Sequence, residues 1–209
     1  MFRILRPITK TPKLLLSVAL LVSAASIAGL GTFATFTSST PAVSHTISSG
    51  TISISLGATG SSTNRLNIGA SGIAPGDTIQ RSVDLSSAAG SMALASITLT
   101  TTASPSSLLD TDATNGLQMV IDKCSLAWVE SASQPYTYTC AGTTSTVVAS
   151  RAVIGSNLAL SNLVATTPGS TDHLRVTLTL PSSAGNTFQG LSSTISYVFT
   201  GTQRAASAQ

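Results

Sequence analysis

Charge is what this sequence has least of. Only 8% of its 209 residues are Asp, Glu, Lys or Arg, and glutamate occurs once, as Glu130. The formal balance of +3 is misleading once the charges are located. Four of the ten basic residues (Arg3, Arg6, Lys10 and Lys13) fall in the first thirteen positions, whereas all seven acidic residues lie beyond residue 76. Without the first thirty-four residues the chain keeps six basic and seven acidic groups, a net of −1. A nucleic-acid-binding protein needs a retained basic stripe to displace counterions from phosphates, so that class is excluded. The same scarcity removes the charged residues that fill helix surfaces. Ser and Thr make up about a third of the chain, and Thr, Val and Ile favour strands. Low charge also leaves little repulsion to oppose self-association.

The basic residues at the start have a different explanation. Arg3 to Lys13 precedes an uncharged run, Leu14 to Leu30, that ends in small residues. Thr32-Phe33-Ala34 then offers small side chains at the −3 and −1 positions of a cut between Ala34 and Thr35. This pattern reads as a secretory signal peptide helix over residues 1–34. An uncleaved anchor is the competing reading, because the run approaches a spanning length. Membrane contact is expected only through this segment before cleavage, and signal peptidase is the partner during export. Only two cysteines follow, Cys124 and Cys140. They could be free thiols in a reducing compartment, but an exported chain would normally pair them.

No convincing helical period appears in the rest. Residues 35–50 are polar and include Pro41, which reads as an extended arm. Alternation predicts strands over Thr51–Leu56, Arg65–Ile68, Thr78–Ser86, Leu94–Thr102, Leu117–Lys123, Ser145–Ala149, Val153–Ile154, His173–Leu180 and Thr194–Thr200. Leu126–Val129 and Tyr136–Cys140 form the arms of a hairpin around Pro135. Ala74-Pro75-Gly76-Asp77 makes a turn that Asp77 caps. The expected architecture is all-β, an antiparallel sandwich of jelly-roll type over residues 51–200, with a polar tail over 201–209. One Trp and closely spaced cysteines do not fit the Cys…Trp…Cys pattern of an immunoglobulin domain.

Residues able to do chemistry are few. There are two histidines and no HExxH helix, so a zinc hydrolase site would need a further ligand and a base from a pool with one glutamate. His45 lies in the arm and His173 opens a strand beside Asp172; both read as surface residues before zinc ligands. Asp172-His173 cannot work as a pair, because contiguous strand residues point to opposite faces, and no G-x-S-x-G elbow is present. Asp110, Asp112 and Asn115-Gly116 place oxygens at alternate positions, as a calcium loop does. The twelfth position is Ile121 rather than Glu, so a solvated turn is the better reading. Trp128, Tyr136 and Tyr138 could present a glycan platform, but inside a hairpin closed by two cysteines they read as core.

Four segments occur in a telling order: GTFATF, SSGTISISL, APGD followed by TIQRSVDL, and FQGLSSTISYVFTGTQRA near the C-terminus. In this the chain resembles the TasA/camelysin family of exported bacterial proteins, which build extracellular fibres in biofilm matrix. The resemblance implies cleavage by a dedicated signal peptidase after Gly31-Thr32-Phe33-Ala34, a jelly-roll fold, and fibres in which the freed N-terminal segment inserts as a strand into the next subunit. That segment would run from Thr35 to about Leu56, with Phe36, Val43 and Ile47 as its apolar positions. This chain departs from the family in carrying no charge after the aromatic residue until Arg65, and in its cysteine pair. Part of the family carries a metallopeptidase label.

The expectation is therefore a secreted structural protein of the cell surface or biofilm matrix that self-associates into filaments by strand exchange, with no catalytic residue and no cofactor. A camelysin-like metallo-endopeptidase and a monomeric adhesive or glycan-binding module are the alternatives. Calcium at Asp110 and Asp112, or zinc at His45 and His173, are secondary possibilities.

Overall fold

A computed structural model describes residues 51–67 and 72–205. The signal segment with its cut at Ala34–Thr35, the arm with Phe36, Val43, His45 and Ile47, and Ile68 lie outside the described residues.

Ten strands are described: β1 (Ile54–Leu56), β2 (Thr78–Ser87), β3 (Leu94–Ala103), β4 (Gln118–Cys124), β5 (Val129–Glu130), β6 (Tyr138–Thr139), β7 (Thr144–Ala152), β8 (Gly155–Ala159), β9 (Thr171–Thr179) and β10 (Ile195–Gln203). They form a five-stranded sheet in the order β1-β2-β9-β4-β7 and a three-stranded sheet in the order β10-β3-β8. All pairings are antiparallel. Counting β2 to β9 as eight strands, the first sheet runs first-eighth-third-sixth and the second joins second to seventh. That is jelly-roll order, as the sequence predicts. The fourth and fifth strands, β5 and β6, would continue the second sheet beyond β8. They instead form a separate hairpin, and β10 flanks the second sheet on its other side.

The period of two dictates the core. Val83 and Leu85 on β2, Met119 and Ile121 on β4, and Leu174 and Val176 on β9 are buried and meet Ile97 and Leu99 of β3 between the sheets. Fully burying such a side chain contributes about 1.5–3 kcal/mol. On β7 the register shifts between Met119 and Ile121 and again between Ile121 and Asp122, and the consecutive Val147 and Val148 are both buried. A bulge turns two neighbours the same way.

The structure corrects several boundaries. β1 keeps only Ile54–Leu56, although Ser53 O and Thr51 O still accept bonds from Ala88 N and Met92 N. Over 65–67, the described part of the strand expected at Arg65–Ile68, no strand forms: Asn64 makes an isolated bridge to Val83, and the chain turns at Leu66 and Asn67. Val153–Ile154 is the corner between β7 and β8; Val153 is buried because it faces the core, while its carbonyl accepts from Thr101 Oγ1 at 2.6 Å. The hairpin arms shrink to two residues each, and β10 extends to Gln203. One helical turn, α1 (Leu108–Thr111), and a 3₁₀ turn at Asn186–Phe188 were not expected. The predicted turn stands: Gly76 has φ +96, and Asp77 Oδ2 accepts from Ala74 N at 2.7 Å.

Candidate functional site

The outward face of the five-stranded sheet is polar by alternation. It presents Gln80, Ser82 and Asp84 from β2, His173 and Arg175 from β9, and Asp122 and Cys124 from β4. In register, Asp84 is opposite His173 and Cys124 is opposite His173 on the other side. The β5–β6 hairpin lies over this face. Cys124 and Cys140 are disulfide-bonded, with Cα atoms 5.7 Å apart, and close its base. Cys124, Trp128 and Tyr138 make a second small core with Tyr136 and Cys140 packed against it. The glycan platform is thus turned inward, because Trp128 and Tyr138 are each under 10% exposed.

Polar contacts hold the hairpin to the sheet. Trp128 Nε1 donates to His173 O at 2.9 Å, and the Arg175 guanidinium stacks over the Trp128 ring at 4.3 Å. Arg175 also donates to Asp122 Oδ2 at 3.1 Å and to Tyr138 O at 3.4 Å. Glu130 accepts from Arg65 Nε at 2.9 Å and Nη2 at 2.6 Å, and from the Tyr138 hydroxyl at 2.9 Å. Arg65 reaches Gly60 O and lies 4.6 Å from the Tyr136 ring centre. The bidentate bond from Arg65 holds the Glu130 carboxyl below the usual range against the opposing effect of burial. Burial raises the Tyr138 phenol.

The structure separates the residues that the sequence singled out. Asp172 points into the sandwich. It is 1% exposed, its Oδ2 accepts from Val164 N and Ala165 N at 2.8 Å each, and its Oδ1 lies 3.1 Å from Lys123 Nζ. His173 points outward, as alternation requires, and its Nδ1 is 2.8 Å from Asp84 Oδ1. This pairing escaped the sequence reading, since it depends on the register of β2 against β9. Asp110 completes a capping box with Ser107 at the start of α1 and also accepts from Ser106 and Ser193. Burial pushes its carboxyl up, but these bonds outweigh it and leave a net lowering. Asp112 accepts from Thr114 N and Asn115 N, each at 2.9 Å. The two carboxylates thus cap separate backbone features.

A zinc hydrolase takes three protein ligands and keeps an open position for water. Among the described residues no three His, Cys, Asp or Glu side chains come together. His173 is committed to Asp84, both cysteines to each other and Glu130 to Arg65. The donor set that is described does not fit a catalytic zinc.

The remaining feature is a sheet edge. β10 turns Ile195, Tyr197 and Phe199 inward and pairs, among the described residues, only with β3. Its nine residues, ISYVFTGTQ, include no charge and no proline, and Val198 is 55% exposed. Natural edge strands are usually blunted by such residues. Beside β10 a groove of about 390 Å³ opens toward β1, lined by Ile52, Ile54, Leu94, Phe199 and Gly201. Gly201 keeps it open: a Cβ there would come within 3.2 Å of a Leu94 methyl.

The sequence profile of one protein family, described as camelysin metallo-endopeptidase, matches residues 10–208. No curated protein matches the chain. The profile covers nearly the whole sequence, including every described strand and the β10 edge. By that match, this jelly-roll chain belongs to the camelysin family.

Proposed function

We propose that the protein is a secreted structural component of the bacterial cell surface or biofilm matrix and that it forms fibres by donor-strand exchange. The observation that carries this reading is the β10 edge, without charge or proline and regular from Ile195 to Thr202, beside an apolar groove. An extended segment adds to such an edge through main-chain hydrogen bonds and fills the groove with alternate side chains. Cleavage between Ala34 and Thr35 would free residues 35–50 as the donor, with Val43 and Ile47 supplying apolar contacts. Donor and acceptor are different surfaces, so the contact runs head-to-tail and propagates as a filament unless it closes into a ring.

Electron microscopy of the processed protein tests this. Filaments are expected from the intact protein, none after deletion of residues 35–45, and few from Val198→Lys, which places a charge on the acceptor strand. Unchanged filaments in the deletion variant would remove the donor role. The peptidase activity in the family's description is tested separately by casein cleavage with and without chelator. The expected result is no chelator-sensitive cleavage by pure protein.

A further inference from the structure

Two features of the hairpin disulfide set it apart from a bridge that only braces the fold. Its two ends differ in access: Cys124 on β4 is 2% exposed, whereas Cys140 is partly exposed and runs into the exposed Ala141 and Gly142. The buried end also closes a row across the outer face of the larger sheet. Asp84 of β2 is directly opposite His173 of β9, and His173 is directly opposite Cys124 of β4. We propose that this bridge exchanges with small external thiols, Cys140 being the sulfur attacked and Cys124 leaving as a thiolate stabilised by the His173 imidazolium.

The rate of thiol–disulfide exchange depends on which sulfur can be reached and on how well the other carries negative charge as it leaves. A thiolate from solvent attacks Cys140 Sγ, a new S–S bond forms there, and the old bond breaks with its electron pair on Cys124 Sγ. The external sulfur is oxidised and Cys124 is reduced, so no further oxidant or reductant enters. Directly opposed residues on neighbouring strands hold their Cβ atoms about 4.5–5.5 Å apart, which puts the imidazole beside the leaving sulfur. His173 Nδ1 lies 2.8 Å from Asp84 Oδ1. A carboxylate only accepts, so Nδ1 keeps its proton and the second proton of the imidazolium sits on Nε2. A cationic imidazole next to a cysteine favours its thiolate. The other charged groups around the row are paired elsewhere: Arg175 of β9 with Asp122 of β4, and Arg65 with Glu130 of the hairpin, which also accepts from the Tyr138 hydroxyl. Lys123, next to Cys124 in the chain, turns inward to Asp172.

Exchange does not require fibres, and its test reads chemistry on the processed protein. Brief treatment with reduced glutathione, a quench with N-ethylmaleimide in denaturant and peptide mass mapping should find glutathione on Cys140 and maleimide on Cys124. That result needs no variant. The opening rate, divided by the thiolate fraction of glutathione, should fall as pH rises between about 5 and 8. His173→Gln should open roughly three- to tenfold more slowly at about pH 6, with a flat corrected rate. Asp84→Asn, at the positioning residue, should move the fall to lower pH. Glutathione on Cys124, no mixed disulfide on Cys140, or a wild-type profile in both variants would each overturn the proposal. So would faster opening in His173→Gln, the result expected if the histidine only braced the hairpin.

Discussion

Glu130 ties three segments together: its own strand β5, Tyr138 on the facing arm and Arg65 in the loop that edges β2. Its carboxyl pKa is depressed in the folded state, chiefly by the Arg65 bond. A depressed acid stabilises fully above its unfolded pKa, about 4.3, and loses that contribution as pH falls through the lower folded value. Glu130→Gln should therefore cost about 1–2 kcal/mol at neutral pH and flatten the decline in stability below about pH 4. Thermal melts across pH check this; parallel wild-type and variant curves would contradict it. Some acid sensitivity should persist through Asp110, which is also depressed. Asp172 belongs to the same scale. Replacing it with alanine strands two backbone N–H groups and the Lys123 ammonium, and should cost about 3–5 kcal/mol in denaturant unfolding. Lys123→Met should cost less, because Asp172 keeps both backbone bonds.

The disulfide hairpin is the element that most distinguishes this chain from a plain jelly roll. Sixteen positions separate its cysteines, and the chain-entropy argument gives about 3 kcal/mol for a loop of that size. Cys124→Ser with Cys140→Ser should lower stability by about that amount and red-shift Trp128 fluorescence as the hairpin loosens from His173 and Arg175. An unshifted spectrum would mean that Arg65–Glu130 and Arg175 suffice to hold it. The long strands were legible in the sequence because β2, β3, β9 and β10 alternate over nine or ten residues with one buried face. The short ones were not. Arg65 to Ile68 alternates, yet Arg65 is drawn to Glu130, sixty-five positions away, and the chain turns there. Likewise Val153 is apolar because it plugs a corner, a role that no local period marks. The hairpin was legible from its cysteines and Pro135; that it folds over the outer face of the larger sheet, with Asp84 and His173 beneath, depends on register.

At the scale of the molecule, scarce charge and an edge that is open among the described residues act together. Surface repulsion that keeps many domains apart is weak here, and β10 offers a nine-residue strand without charge or proline for contact. The hairpin has a mechanical consequence. Its covalent bond closes only its own loop, between β4 and β7, and crosses neither β1 nor β10. In a filament joined through the N-terminal segment and the β10 edge, tension would enter at β1, pass by shear into β2, cross the sandwich core and leave by shear between β3 and β10. The disulfide stands off that path. Reduction should therefore lower the melting temperature of the subunit yet leave the force needed to pull filaments apart unchanged, a difference that single-filament stretching with and without reductant would reveal.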